Sequence, residues 1–75
     1  MKKGLLDTLA DRMGCLYLAD LRRMDKQDLR HEIACMEALS YSLWEWNDAL
    51  EYLTEERKTG ATQDEAKERL LNALA

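Results

Sequence analysis

His31 and Cys35 stand four residues apart, the spacing that sets two side chains on one face of a helix. Imidazole and thiolate both ligate zinc, and an imidazole one turn from a thiol can act as the base that makes a thiolate nucleophile. Either chemistry needs further groups. Zinc takes four ligands, or three and a water; Cys15 is the only other thiol, and there is no second histidine. A thiolate nucleophile needs an oxyanion site, such as a glycine-rich turn at a helix start, and the sequence has none. The expectation is a plain helix surface at His31, Cys35 as a small buried apolar residue, no metal, no cofactor, no small-molecule substrate and no catalytic activity.

The carboxylates offer a second possibility. Glu45, Asp48, Glu51, Glu55 and Glu56 follow one another without an intervening basic residue. Paired carboxylates can exchange protons or bind hard cations. Helical spacing scatters these five over a convex surface, and no glycine-bearing loop gathers them around one ion. A solvated acidic face is expected, with docking to a basic partner as its functional reading.

Trp44 and Trp46 carry the sharpest hint. Residues two apart on a helix point about 200° apart, so the two indoles cannot face the same core. Trp46 falls in line with Leu43, Leu50 and Leu53. Trp44 falls on the opposite side, with Tyr41, Asp48 and Glu51. Tryptophan and tyrosine dominate interface hot spots because they bury large area at small entropic cost. Trp44, Tyr41, Asp48 and Glu51 are therefore the expected partner-binding residues, unless the N-terminal segment or the last helix folds over them.

Composition determines what must position these groups. The chain has 75 residues, enough for one domain with a small core. It contains no valine, phenylalanine or proline, and Ile33 is its single isoleucine. Leucine, alanine and methionine supply the apolar content; these favour helices, and strands would lack the β-branched residues they want. The fold class expected is all-α: a single helical domain over residues 1–75, a small bundle of three main helices, or four if the middle one breaks.

A first amphipathic helix is expected from about Gly4 to Leu16, with Leu6, Leu9, Met13 and Leu16 as its stripe and Gly14 as a weak point or a stop. The pattern then degrades, so a bend or short turn is expected between Cys15 and Met24. Asp25 is placed to cap the next helix. From Leu29 a heptad runs through Leu29, Met36, Leu43 and Leu50 on one seam position and Leu39, Trp46 and Leu53 on the other, with Glu32 the misfit and Ile33 alongside. Two readings compete: one helix over 25–57, about 50 Å long, or two helices broken near Leu39–Ser42, where Ser42 and Glu45 form a capping-box pattern. The unbroken seam favours one helix. Gly60 then suits a left-handed residue after the helix end, with Arg57 and Lys58 as the cations complementing its dipole. Thr62 and Glu65 make a second capping box, and Ala66, Leu70, Ala73 and Leu74 form the stripe of the last helix.

Charge excludes some classes of function. Lysine and arginine number 11 against 15 aspartate and glutamate, a net charge of −4. The first thirty residues are slightly basic and the remainder strongly acidic. Arg22, Arg23, Lys26 and Arg30 form the one basic cluster, and the alternative function it suggests is a small DNA-associated transcriptional regulator. A recognition helix over Leu43–Leu53 would show Glu45, Asp48 and Glu51 to phosphate, which disfavours nucleic acid. The opening Met1-Lys2-Lys3 resembles the start of a signal peptide, but Asp7, Asp11 and Arg12 interrupt the apolar stretch that must follow. No apolar run approaches a membrane span. The reading is a cytoplasmic protein with reduced thiols, acting as a protein-interaction module that binds another protein or a second copy of itself in a homodimer.

Overall fold

The structure, a computed structural model, describes residues 4–55 and 59–75. It is all-α. Helix α1 covers Leu5–Arg12, α2 Lys26–Ala34, α3 Leu43–Thr54 and α4 Gln63–Ala73; two 3-10 helices, Leu18–Arg23 and Ala38–Ser40, join α1 to α2 and α2 to α3. The described residues contain no strand.

The expected stops and starts explain most of these boundaries. Gly14 ends α1 with a φ of 72°. Around it the Cys15 N–H reaches the Ala10 carbonyl at 2.8 Å and the Gly14 N–H the Asp11 carbonyl at 3.2 Å. That is a Schellman closure, which needs a left-handed residue where glycine stands. Because the helix stops there, Leu16 leaves the expected stripe and is 90% exposed, while Leu5, Leu9 and Ala10 supply the buried face. The irregular stretch after Cys15 is the first 3-10 helix, whose Leu21 is buried. Asp25 caps α2 as expected, its carboxylate accepting the Gln27 N–H at 2.7 Å.

The long central helix is not formed; the chain breaks between Ala34 and Leu43. A helix of about 50 Å would overrun a body whose extents are 30 × 30 × 20 Å. The break is made locally by the capping box: Ser42 Oγ accepts the Glu45 N–H at 3.2 Å, and Glu45 Oε2 accepts the Ser42 N–H at 2.9 Å. It is made globally by Trp46. Its indole N–H donates to the Ala38 carbonyl at 2.7 Å, a bond that requires residues 38–40 to fold back over α3. The seam survives on both sides of the break, since Leu29, Met36, Trp46 and Leu50 are buried and Leu43 and Leu53 pack at the core's edge. Leu39 alone leaves it, turned outward at 77% exposure by the 3-10 geometry.

Helices α2 and α3 each pack on α1 and α4. The α2–α4 pair is antiparallel, and each helix supplies a cation to the other's carboxyl end. Arg30 Nε donates to the Leu71 carbonyl at 3.1 Å. Lys67 Nζ donates to the carbonyls of Ala34, at 3.3 Å, and Met36. Positive charge at orphaned helix-end carbonyls satisfies them and complements the dipole.

Three expectations around α4 are corrected. Gly60 does not take a left-handed conformation; among the described residues the non-glycine residue with positive φ is Glu55, which ends α3. Glycine is needed at position 60 for close approach, because a Cβ there would fall 2.4 Å from the Ala66 nitrogen. The Asn47 side chain clasps the same residue, accepting the Gly60 N–H at 2.8 Å and donating to its carbonyl at 3.3 Å. The second capping box is half formed: Thr62 accepts the Glu65 N–H at 3.2 Å, but Glu65 Oε1 pairs with Arg69 at 3.0 Å. Ala66, Leu70 and Leu74 face the core as expected, whereas Ala73 is exposed. The expected dipole cations Arg57 and Lys58 lie outside the described residues.

Trp46→Ala is expected to cost roughly 3–5 kcal/mol, as large-to-small core changes do. Total stabilities are about 5–15 kcal/mol, so urea unfolding should find much of the cooperative transition gone. A loss below about 1 kcal/mol would contradict the central position given to this side chain.

Candidate functional site

Trp44 lies in the first turn of α3, two residues inside the Ser42 cap. That position is set by the capping box, which fixes the phase of the helix. Trp46 then points inward at 0% exposure and Trp44 outward at 72%. Neither α1 nor α4 covers the ring. Asp48 and Glu51, its expected companions on the outer face, are also exposed.

Tyr41 does not join them. It is the residue before the cap, and its ring meets Trp46 edge-on, with centroids 6.0 Å apart and planes at 89°. Its carbonyl accepts Gln63 Nε2 at 2.9 Å. The helix break is the physical reason. Residues 41 and 44 would share a stripe in a continuous helix, and the extended backbone at Tyr41 and Ser42 turns the phenol back toward the core. Tyr41 supports the scaffold under the site and does not widen its outer face.

The structure brings to Trp44 residues that helical spacing did not indicate. A shallow groove of about 170 Å³ is walled by Trp44 on one side, Leu18 on another and the start of α1 beneath. Leu18 also borders a second open depression of about 320 Å³, shared with Leu16 and the end of α1. Tyr17, between these leucines in the chain, is 71% exposed. The result is a run of large apolar side chains from Leu16 through Leu18 to Trp44, rimmed by carboxylates. Exposed apolar groups clustered in this way mark association surfaces more often than single ones do. A signal for them exists in the sequence. Cys15-Leu16-Tyr17-Leu18 is a short apolar run in a stretch without helical periodicity, where no single face could bury all of it.

The other candidates do not assemble. His31 occupies the last turn of α2 and is exposed; Cys35, expected to be buried, is exposed too, because α2 ends at Ala34 and leaves it as the C-cap residue. Among the described residues no three histidine, cysteine or acidic side chains converge on a metal position. Both cysteines are free thiols. Among the described residues no helix is long and apolar enough to cross a membrane.

Two members of the basic cluster, Arg22 and Arg30, are drawn into the scaffold, while Arg23 and Lys26 are exposed. Arg22 Nε donates to the Tyr52 carbonyl at 2.8 Å, its guanidinium lies 4.3 Å from the centre of the Tyr52 ring, and it pairs with Glu55 at 3.4 Å. Arg30 caps α4. Lys26 and Arg22 share a cleft of about 460 Å³ with Leu53 and Leu74, but Arg22 already faces Glu55 there. A phosphate would have to compete with these contacts. No protein-family model, curated protein or solved structure matches the chain.

Because its ring stands free of the core, Trp44→Ala is expected to change unfolding free energy by no more than about 0.5 kcal/mol, the usual range for exposed positions. Urea unfolding followed by circular dichroism measures this. A cost above about 2 kcal/mol would make Trp44 part of the core after all.

Proposed function

We propose that this chain is a small cytoplasmic protein-interaction module without catalytic activity, and that it binds a partner protein through the face built on Trp44 and Leu18. The observation that carries the reading is the pairing of an exposed indole with exposed leucines on a surface positioned by a capping box and a Schellman turn. A rigid aromatic anchor loses little entropy when covered, which is what gives such residues their weight in interfaces. Support also comes from economy of scale. A domain of this size has limited apolar material, and leaving five large apolar side chains among the described residues outside its core, four of them at or beside this face, costs stability that a soluble monomer has no use for. The free thiols suit a reducing compartment.

Regulation of DNA through Arg22, Arg23, Lys26 and Arg30 is the weaker reading, since two of those four side chains are committed to backbone carbonyls.

The test is a photo-crosslinking residue placed at position 44 in cells that express the chain, with a control at Glu68 on the outer side of α4. A discrete heavier adduct from position 44, absent from position 68 and lost with Leu18→Asp, is expected. The same adducts from both positions, or none from position 44, would overturn the proposal.

A further inference from the structure

The charge around the Trp44 face selects its occupant. Four carboxylates, Asp7, Asp11, Glu45 and Asp48, line the two grooves that meet at Leu18, and no described lysine or arginine does. Glu45 is occupied at the Ser42 cap, and Asp11 also has a partner of its own. Asp7 borders both grooves, and Asp48 sits one turn beyond Trp44 with Glu51 next along α3. Arg22 lies in the adjoining cleft with Asp48 and Glu51, its guanidinium turned to Tyr52 and Glu55, and Arg12, which follows Asp11, pairs with Glu32 at 3.7 Å. The surface is thus apolar along its middle and negative at its edges.

Resting on the reading of this face as a protein-binding surface, we propose that it takes a cationic amphipathic segment of another protein. Apolar side chains seat against Leu18 and Trp44, and lysine or arginine heads reach Asp7 and Asp48. An aliphatic stem with a charged tip matches such a surface, because the stem covers apolar area while the tip stays at the wet rim. A second copy of the chain is the poorer fit. A two-fold interface sets a patch against itself, and here that would oppose carboxylate rim to carboxylate rim.

The experiment is titration calorimetry of the full chain with two designed helical peptides, one of leucine and lysine, the other with glutamate replacing every lysine. Micromolar binding of the leucine–lysine peptide and none of the leucine–glutamate peptide is expected. Trp44→Ala should weaken the binding at least about 30-fold, as hot-spot truncation does. Asp7→Asn with Asp48→Asn should weaken it roughly five- to tenfold, the sum of two rim charges. Glu37→Gln with Glu68→Gln, which removes equal charge elsewhere, should leave it within about twofold, as distant surface changes do. Equal binding of both peptides, sensitive to Trp44→Ala, would overturn the cationic partner and keep the interaction face. So would failure of both peptides together with a sedimenting dimer that Trp44→Ala dissociates. Binding indifferent to Trp44→Ala, or a monomer that takes neither peptide, would overturn the inference and also leave the interaction face without its support.

Discussion

The indole N–H of Trp46 lies 2.7 Å from the Ala38 carbonyl, inside the core, and most of the architecture depends on that bond. A buried indole donor without a partner is costly, and a tryptophan on a continuous helix would find no carbonyl eight residues back. The chain meets the requirement by breaking the helix and folding the Ala38–Ser40 turn over α3. Three consequences follow from that single constraint. Tyr41 is brought edge-on to the same ring, the capping box at Ser42 restarts the helix, and Trp44 is fixed on the outside.

The second organising theme is where the positive charge goes. Arg22, Arg30 and Lys67 each donate to a backbone carbonyl of another element, at the ends of α3, α4 and α2. These are the places where helices leave acceptors unpaired, so the cations tie elements together there. Around α1 and the start of α3, Asp7 and Asp48 line the groove beside Trp44, while Glu45 holds the Ser42 cap. Among the described residues, the groove beside Trp44 is lined by carboxylates and by no lysine or arginine. In this respect scaffold and proposed docking surface have one cause.

Much of this was legible from the residues. The absence of valine and phenylalanine with plentiful leucine and alanine is enough for an all-α fold, and the caps at Asp25 and Ser42 stand where local chemistry puts them. The heptad from Leu29 to Leu53 correctly marks the buried side, yet it misleads about continuity. A seam in register on both sides of a break looks unbroken, and nothing local reveals that Trp46 needs an acceptor at Ala38. Gly60 illustrates a similar limit: a stop after α3 is visible, but the contact with Ala66 that requires glycine there is tertiary. Asn47 carries no sequence signal at all, because its partner at Gly60 lies in the turn before α4. The site was half legible. Trp44, Asp48 and Glu51 share an outer helical face by arithmetic alone, whereas Leu16 and Leu18 join them only after Gly14 has turned the chain.

The two tryptophans, two residues apart, are assigned opposite duties: one is the centre of the fold and the other its proposed contact with the outside. Hydrogen exchange of their two indole N–H protons, resolved by nuclear magnetic resonance in the intact chain, measures that division directly. The Trp46 proton should exchange only with global unfolding, and the Trp44 proton at close to the rate of a free indole. Two indole protons with the same protection, whether both slow or both fast, would contradict it.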